Sequence, residues 1–451
     1  MTDSASEARI HSVIPGIGWP AIGSDAAAHL LSLMFQLERT QWMPEQKIRK
    51  LQLTQAKKML RHAQASVPYY SALLGGIDID RLDWDTFCSL PLLTRGGLQE
   101  NFEALTSASL PRGHGGVCEG KSSGSTGRPA RFLSTSVNQL FWNALTLREH
   151  FWHSRLLTGK LASIRNESEN GNWPGWGSPT STVFQTGPGA LLRIDTPIAK
   201  QAEWLHAQNP DYFLSYPTNI RALAKHCEQS GIQLPRLCEV RSMGEVVTTE
   251  MRETCRRVWG VPITDMYSCQ EAGYLALQCP AGEHYHVQAE SVILEILHAD
   301  GRPCQAGEVG QVVITSLHNF AMPLIRYAIG DFAERGEACA CGRGLPVIRR
   351  IMGRARNILT YPSGETRFPL LGGERYAEIA PVKQYQAIQR SLHEIEVRLI
   401  VDRPLAGDEE AALRKFILAK LGYPFDLNFS YPSLIPMGAG GKFEDFISEI
   451  V

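Results

Sequence analysis

The sequence has almost no excess charge of either sign: 45 lysines and arginines stand against 46 aspartates and glutamates, a formal net charge of −1. A chain so balanced carries no broad field toward a polyanion, which argues against nucleic acid and anionic membrane surfaces as partners. It also lacks a leader pattern. Asp3, Glu7 and Arg9 come before any apolar stretch, where a secretory signal needs a basic start followed by a hydrophobic core, so export is not expected. Long hydrophobic runs are missing too. One uncharged stretch, residues 171–192, has the length of a membrane span, but it holds Pro174, Pro179, Pro188 and five glycines. Backbone broken in that way cannot satisfy its own hydrogen bonds in lipid, and the stretch reads as a loop region. The ten cysteines are scattered rather than framed as a disulfide scaffold, as reduced thiols of a cytoplasmic protein would be.

What is present is the composition of an ordinary globular protein: 451 residues, 43% hydrophobic and 20% charged, enough for two or three domains with a full core. Over residues 45–67, Ile48, Leu51, Met59, Leu60 and Ala63 recur at helical spacing until Pro68, which predicts a core-facing amphipathic helix without chemistry of its own. Between residues 211 and 267 the pattern alternates: 218–230 helical, 237–243 extended, 249–258 helical, 261–267 extended. Such alternation implies parallel strands with crossover helices, whose ligands bind past the carboxyl ends of the strands. That places Gly244-Glu245 and Ser268 to Glu271 in candidate site loops. Residues 291–297 and 310–316 flank the turn Asp300-Gly301-Arg302-Pro303 and predict antiparallel structure, a second sheet or small barrel. Near Gly353-Arg354 the composition shifts. The last hundred or so residues, with extended 395–401, helical 408–421 and a glycine-rich 438–441, suffice for a separate small domain.

Two glycine-rich readings compete around residue 120. Gly115, Gly120, Lys121 and Ser122 satisfy the P-loop spacing, but Gly124, Gly127 and Pro129 follow at once and leave no helix to open there. The stretch Ser122-Ser123-Gly124-Ser125-Thr126-Gly127-Arg128-Pro129 is the better phosphate loop, because its glycines free backbone N–H groups and its four hydroxyls add donors. No Ser/His/Asp or Cys/His nucleophile arrangement is evident.

In chain order there follow Tyr267-Ser268-Cys269-Gln270-Glu271-Ala272-Gly273, Arg326-Tyr327-Ala328-Ile329-Gly330-Asp331, Gly353-Arg354 and Gly441-Lys442-Phe443. Interspersed are Ser215-Tyr216-Pro217-Thr218-Asn219, Met322-Pro323-Leu324-Ile325, Cys341-Gly342-Arg343-Gly344-Leu345-Pro346 and Tyr385-Gln386-Ala387-Ile388-Gln389. In this set and order the chain resembles the adenylate-forming superfamily, most closely the branch of phenylacetate-CoA ligases and CapK-type proteins, from about Val67 onward. The resemblance implies an α/β fold: an adenylation domain of mixed parallel and antiparallel sheets over residues 1–353, and a small mobile α+β lid over 354–451, with ATP between them. It implies Mg²⁺ at Glu271, Tyr267 against the adenine, Ser268 among the nucleotide-binding residues, and Asp331 on the ribose. Gly244-Glu245 would form the adenine-side turn, Arg354 would contact ribose or phosphate, and Lys442 would be the mobile catalytic lysine. Two positions depart from the pattern: Ser268 stands where glycine is usual, and Asn357 where a hinge aspartate is typical, which puts the rotation of the small domain in doubt.

Cys339-Ala340-Cys341, Cys279 and either His284 or His286 offer three thiolates and an imidazole, the donor set of structural zinc, with Cys269, Cys304 or plain buried thiols as alternatives. The resemblance favours Cys279, His286, Cys339 and Cys341. Four ligands leave no open position, so such a zinc would be structural. The expected function is activation of a small, aromatic or arylacetic acid by ATP, with transfer of the acyl group to CoA. An amine acceptor, or a nucleotide-binding protein without catalysis, is the alternative, and homodimer formation is left open. Trp173, Trp176, Phe184, Tyr216 and Pro217 are the candidates for walling the acid, against an alternative in which the tryptophans anchor a loop.

Overall fold

The computed structural model describes residues 9–122, 129–354, 357–369, 371, 373–436 and 443–450. The chain divides into two compact units, Met1–Ile351 and Met352–Val451.

The first unit opens with helices. Ser24 caps Asp25–Thr40, its Oγ accepting from the Ala27 N–H at 3.2 Å. The helix predicted over 45–67 runs Glu45–Ser66. Its buried face is Ile48, Gln52, Ala56, Met59, Leu60 and Ala63, while Leu51, expected on that face, is 49% exposed. A buried glutamine takes the place in the stripe: Gln52 Nε2 donates to the carbonyls of Ala289 at 2.9 Å and Val292 at 3.1 Å, so its polar atoms are satisfied inside. Pro68 does end the helix, by holding Val67 extended, and then itself opens the next short helix, Pro68–Leu74.

A two-stranded hairpin follows, β1 (Val117–Lys121) antiparallel to β2 (Arg131–Thr135). The connection between them leads from one strand to its antiparallel partner, whereas a P-loop leads from a strand into a helix. Gly120 is required by its neighbour: a Cβ on it would lie 2.3 Å from the Phe132 ring.

The main sheet contains twelve strands among the described residues. Its parallel part is β3 (Leu161–Arg165), β5 (Gly189–Arg193), β6 (Tyr212–Ser215), β7 (Glu239–Met243) and β8 (Ile263–Cys269), with β4 (Gly171–Trp173) antiparallel at the edge. The predicted crossovers are present as helices Pro217–Ser230 and Thr249–Trp259. Residues 171–192 are therefore more than a loop region, because they contain β4 and most of β5. Strand β5 is buried along nearly all its length, so it reads as an apolar run with no alternation to mark it. Among the described residues, no helix is long and apolar enough to cross a membrane.

The antiparallel part is β9 (Gly273–Gln278), β10 (Tyr285–Val287), β11 (Val292–Leu297), β12 (Val309–Ser316), β13 (Tyr327–Arg335) and β14 (Val347–Arg354), in the order β11-β12-β13-β14-β10-β9-β8. The predicted β11–β12 hairpin is there, but it continues the main sheet instead of forming a second one. A cluster containing Tyr267, Leu275, Val287, Ile293, Ile314 and Tyr327 is buried between these strands and the N-terminal helices.

The second unit has its own core. Strands β17 (Val382–Gln389), β18 (Glu394–Val401), β19 (Asp426–Ser430) and β20 (Phe446–Ser448) lie in the order β19-β18-β17-β20, after a small hairpin of β15 (Leu359–Thr360) and β16 (Thr366–Arg367). The helix Gly407–Leu421 buries Leu413, Ile417 and Leu421 with Ile395, Val397 and Leu399 of β18. The fold is thus the mixed α/β arrangement expected.

Candidate active site and candidate metal centre

The site is assembled at the carboxyl end of β8. Tyr267, 6% exposed, donates its hydroxyl proton to Asp331 Oδ2 on β13 at 2.9 Å. Just past β8, Glu271 is 8% exposed, with its Oε1 3.8 Å from Nη1 of Arg95. The other arm of the same guanidinium, Nη2, donates to Ser122 Oγ at 2.7 Å. Ser122 Oγ also accepts from the Ala130 N–H at 2.9 Å, and the Ser122 N–H donates to the Ala130 carbonyl at 2.8 Å, so the root of the Ser/Gly loop is tied shut. Ser123, Gly124, Ser125, Thr126 and Gly127, as well as Lys442, lie outside the described residues.

Burial and negative charge dominate this corner. The Cys269 thiol is raised well above its ordinary range by burial, with Glu271 adding to the effect, so it stays protonated. The Tyr327 hydroxyl is raised by burial and then by Glu271. After β7, Gly244 turns the chain at φ +79°, and Glu245 Oε2 accepts from the Thr218 N–H at 2.9 Å, at the start of the helix Pro217–Ser230. In the second unit, the Arg354 N–H donates to Asn357 Oδ1 at 3.1 Å, and Asn357 Nδ2 donates to the Phe446 carbonyl at 2.6 Å.

A second group gathers where the β9–β10 hairpin meets the loop between β13 and β14. One donor atom from each of Cys279, His284, His286 and Cys339 lies within 4.8 Å of all the others. Cys279 Sγ and Cys339 Sγ are 3.9 Å apart, and two thiolates at about 2.3 Å from one tetrahedral zinc would stand about 3.8 Å apart. His284 Nε2 is 3.0 Å from Cys339 Sγ, and Cys341 Sγ is 3.4 Å from His286 Nε2. Burial pushes His286 down to about 4, leaving the neutral imidazole that a metal takes. It also pushes the Cys279 thiol up to about 12, a protonation that a divalent cation reverses. The donor set fits zinc. His284, weighed against His286 from sequence, stands in the tight group together with it, and Cys341 is adjacent to it.

No protein-family model matches the chain. It is similar to the phenylacetate-coenzyme A ligase of Thermus thermophilus, 25% identical across 91% of this chain and 98% of that one. Protein CapK of Staphylococcus aureus is 24% identical over 53% of each chain. Among solved structures, 2-hydroxyisobutyryl-CoA ligase in its postadenylation state superposes with a TM-score of 0.71 over 92% of both chains at 16% identity. In sequence the chain resembles phenylacetate-coenzyme A ligases, and it shares the fold of an adenylate-forming CoA ligase.

The residues weighed for the acid do not form one wall: Phe184 and Trp176 pack in one core cluster and Tyr216 in another. Trp173 is 49% exposed on edge strand β4. Trp176 has its Nε1–H committed to the Gly159 carbonyl at 2.8 Å, and its ring lies against His150 and Tyr212. Phe184 is 3% exposed in a core cluster beside Phe151. Tyr216 is buried, its hydroxyl accepting from the Asn166 N–H at 3.3 Å, and Pro217 is the first residue of its helix. Sequence reasoning missed Arg95. A lone arginine after Thr94 has no spacing to mark it, and its partners lie 27 and 176 residues away.

Proposed function

We propose that the chain activates a small carboxylic acid with ATP and transfers the acyl group to CoA. In the first half-reaction a carboxylate oxygen bonds to the α-phosphorus as the α–β bridging bond breaks, releasing pyrophosphate and leaving the acyl adenylate. In the second, the CoA sulfur bonds to the acyl carbon and AMP leaves. Neither step needs an enzyme nucleophile, because the acid is ionised at neutral pH; what the first step needs is cations and fixed dipoles at the phosphates.

The observation that carries this reading is the Arg95 fork, which holds Ser122 at the root of the Ser/Gly loop and sits 3.8 Å from Glu271, so that phosphate donors and a metal-binding carboxylate share one corner. Glu271 is assigned the Mg²⁺ that arrives with ATP, a carboxylate being the ligand magnesium prefers. Residues 122–127 are assigned the phosphates, Tyr267 and Ser268 the adenine, and Asp331 the ribose hydroxyls. Gly244-Glu245 forms the adenine-side turn. Arg354 and Lys442 belong to the small unit, and Lys442 supplies the charge that meets the carboxylate and α-phosphate oxygens.

For the acid, aryl and arylacetic classes are favoured, since three of the similar proteins are named phenylacetate-coenzyme A ligases. The cysteine–histidine group is assigned a structural zinc. The test is product analysis with the accepted acid: an acyl-CoA thioester with stoichiometric AMP supports the proposal. AMP formed only with an added amine would replace CoA transfer by amide formation.

A further inference from the structure

Arg95 is fixed from both ends. Leu93 makes a parallel bridge to Tyr327: its N–H donates to the Arg326 carbonyl at 3.0 Å, and its carbonyl accepts from the Ala328 N–H at 2.9 Å. Arg326 reinforces the strap, reaching the Leu90 carbonyl and the Glu295 carboxylate with its guanidinium. Thr94 then caps the short helix Arg95–Glu100 by accepting from the Gly97 N–H at 3.0 Å. The backbone of Arg95 is therefore tied to the strand that carries Asp331, while its side chain spans to the hairpin loop and to Glu271.

Its hydrogen bonding is incomplete. Nη2 is bonded to Ser122, and Nη1 lies 3.8 Å from Glu271 Oε1, an ion pair beyond hydrogen-bond distance. The buried Nε–H has no acceptor among the described residues, and the fully buried Tyr327 hydroxyl has no partner there either. A buried donor in this condition is completed by an ordered water, an ion or a ligand. A guanidinium fork presents five donors in the plane that phosphate oxygens match, and here one arm bonds Ser122 and the other faces Glu271, the groups assigned to the phosphates and their metal.

We propose that Arg95 binds the β- and γ-phosphates of ATP, the part that leaves as pyrophosphate, after serving as the counter-charge of Glu271 in the nucleotide-free protein. Magnesium arriving with ATP takes over the charge of Glu271, and the guanidinium is released to the phosphate oxygens while still holding Ser122. The inference rests on the reading of this corner as an ATP site, and it adds a residue that no motif of the resemblance names.

Titration of the full-length protein with Mg·ATP in the absence of any acid, and separately with AMP, tests it. Arg95→Gln is expected to weaken Mg·ATP by about 10- to 100-fold, the range for lost charge-assisted hydrogen bonds, and to leave AMP within about twofold. Arg95→Lys should recover part of the ATP affinity, because it restores charge but not the fork. Equal loss of ATP and AMP would make Arg95 a merely structural residue, and unchanged ATP affinity in either variant would overturn the role outright. Should Arg95→Gln fail to fold, the lysine variant carries the same comparison. Wild-type protein that binds no Mg·ATP overturns the ATP-site reading itself, which separates that failure from failure of the arginine's role.

Discussion

Tyr267 on β8 and Asp331 on β13 share a hydrogen bond of 2.9 Å although β14, β10 and β9 stand between their strands in the sheet order. Four strand spacings of about 4.8 Å would separate them by about 19 Å in a flat sheet, so the antiparallel half must curl until its ends meet. The curl brings a phenol and a carboxylate from distant motifs to one place.

That pairing makes its own prediction. Asp331→Asn should weaken ATP by about tenfold or more, because the acceptor proposed for the ribose hydroxyls loses its charge, and should leave the KM for the acid unchanged. Tyr267→Phe should weaken ATP less and cost about 1–2 kcal/mol of stability, since it leaves Asp331 without that donor. Calorimetric titration and denaturant unfolding check the two.

The structural zinc proposed for the cysteine–histidine group predicts about one equivalent of zinc per chain when the protein is prepared without chelator. Cys339→Ser should lose it and lower Tm, because Cys339 Sγ lies beside both Cys279 and His284. Comparing His284→Asn with His286→Asn by elemental analysis shows whether one imidazole or both are ligands. Less than about half an equivalent in the wild type would remove the proposal.

Asp265 gives a pH dependence outside the site. It is buried, accepts from Ser242 Oγ and Tyr285 Oη at 2.7 Å each, and burial still raises its carboxyl from 3.8 to about 6. The folded state therefore binds this proton more tightly than the unfolded chain. The contribution is fully present below the unfolded pKa and is lost as pH rises through the folded value. Asp265→Asn lacks this titration, so its unfolding free energy relative to wild type should rise between about pH 4 and pH 7, by on the order of 2–3 kcal/mol. A difference that stays flat over that window contradicts the assignment.

The two tryptophans should separate. Trp176→Ala should destabilise by about 2–3 kcal/mol, less than the range for a fully buried Trp, since its partly buried indole is hydrogen-bonded to Gly159 and packed on Tyr212. Trp173→Ala, half exposed on an edge strand, should barely move Tm. If Trp173 walls the acid, its KM for the acid rises; an unchanged KM dismisses it from the pocket.

Much of this was legible in the sequence because it is local. The helices at 217–230, 249–259 and 407–421 and the hairpin of β11 and β12 declare themselves by periodicity and by Gly, Asp and Pro at their turns. Three features were not legible, for physical reasons. Strand β5 is buried on both faces and shows no alternation. Gln52 sits in an apolar stripe because two carbonyls more than two hundred residues away accept from it. His284 and His286, two apart, would face the same side of a regular strand, but His284 lies in the turn before β10 begins, so strand alternation does not decide between them. Arg95 belongs with these, because its meaning lies wholly in long-range contacts.

The role proposed for Lys442 is tested by Lys442→Ala. Acyl-adenylate formation should fall by about 100-fold or more while Mg·ATP affinity changes by less than about threefold, as expected for a contact made in the transition state. Parallel losses in both would assign Lys442 to ground-state binding instead.

The central claim is adenylation, and carboxylate-dependent exchange of labelled pyrophosphate into ATP tests it most directly. Across a panel of aryl, arylacetic and aliphatic acids, exchange without CoA is expected with at least one aryl or arylacetic acid, with CoA then converting exchange into net AMP formation. Protein that binds Mg·ATP yet exchanges with none of the acids would contradict the account and favour a nucleotide-binding protein without catalysis.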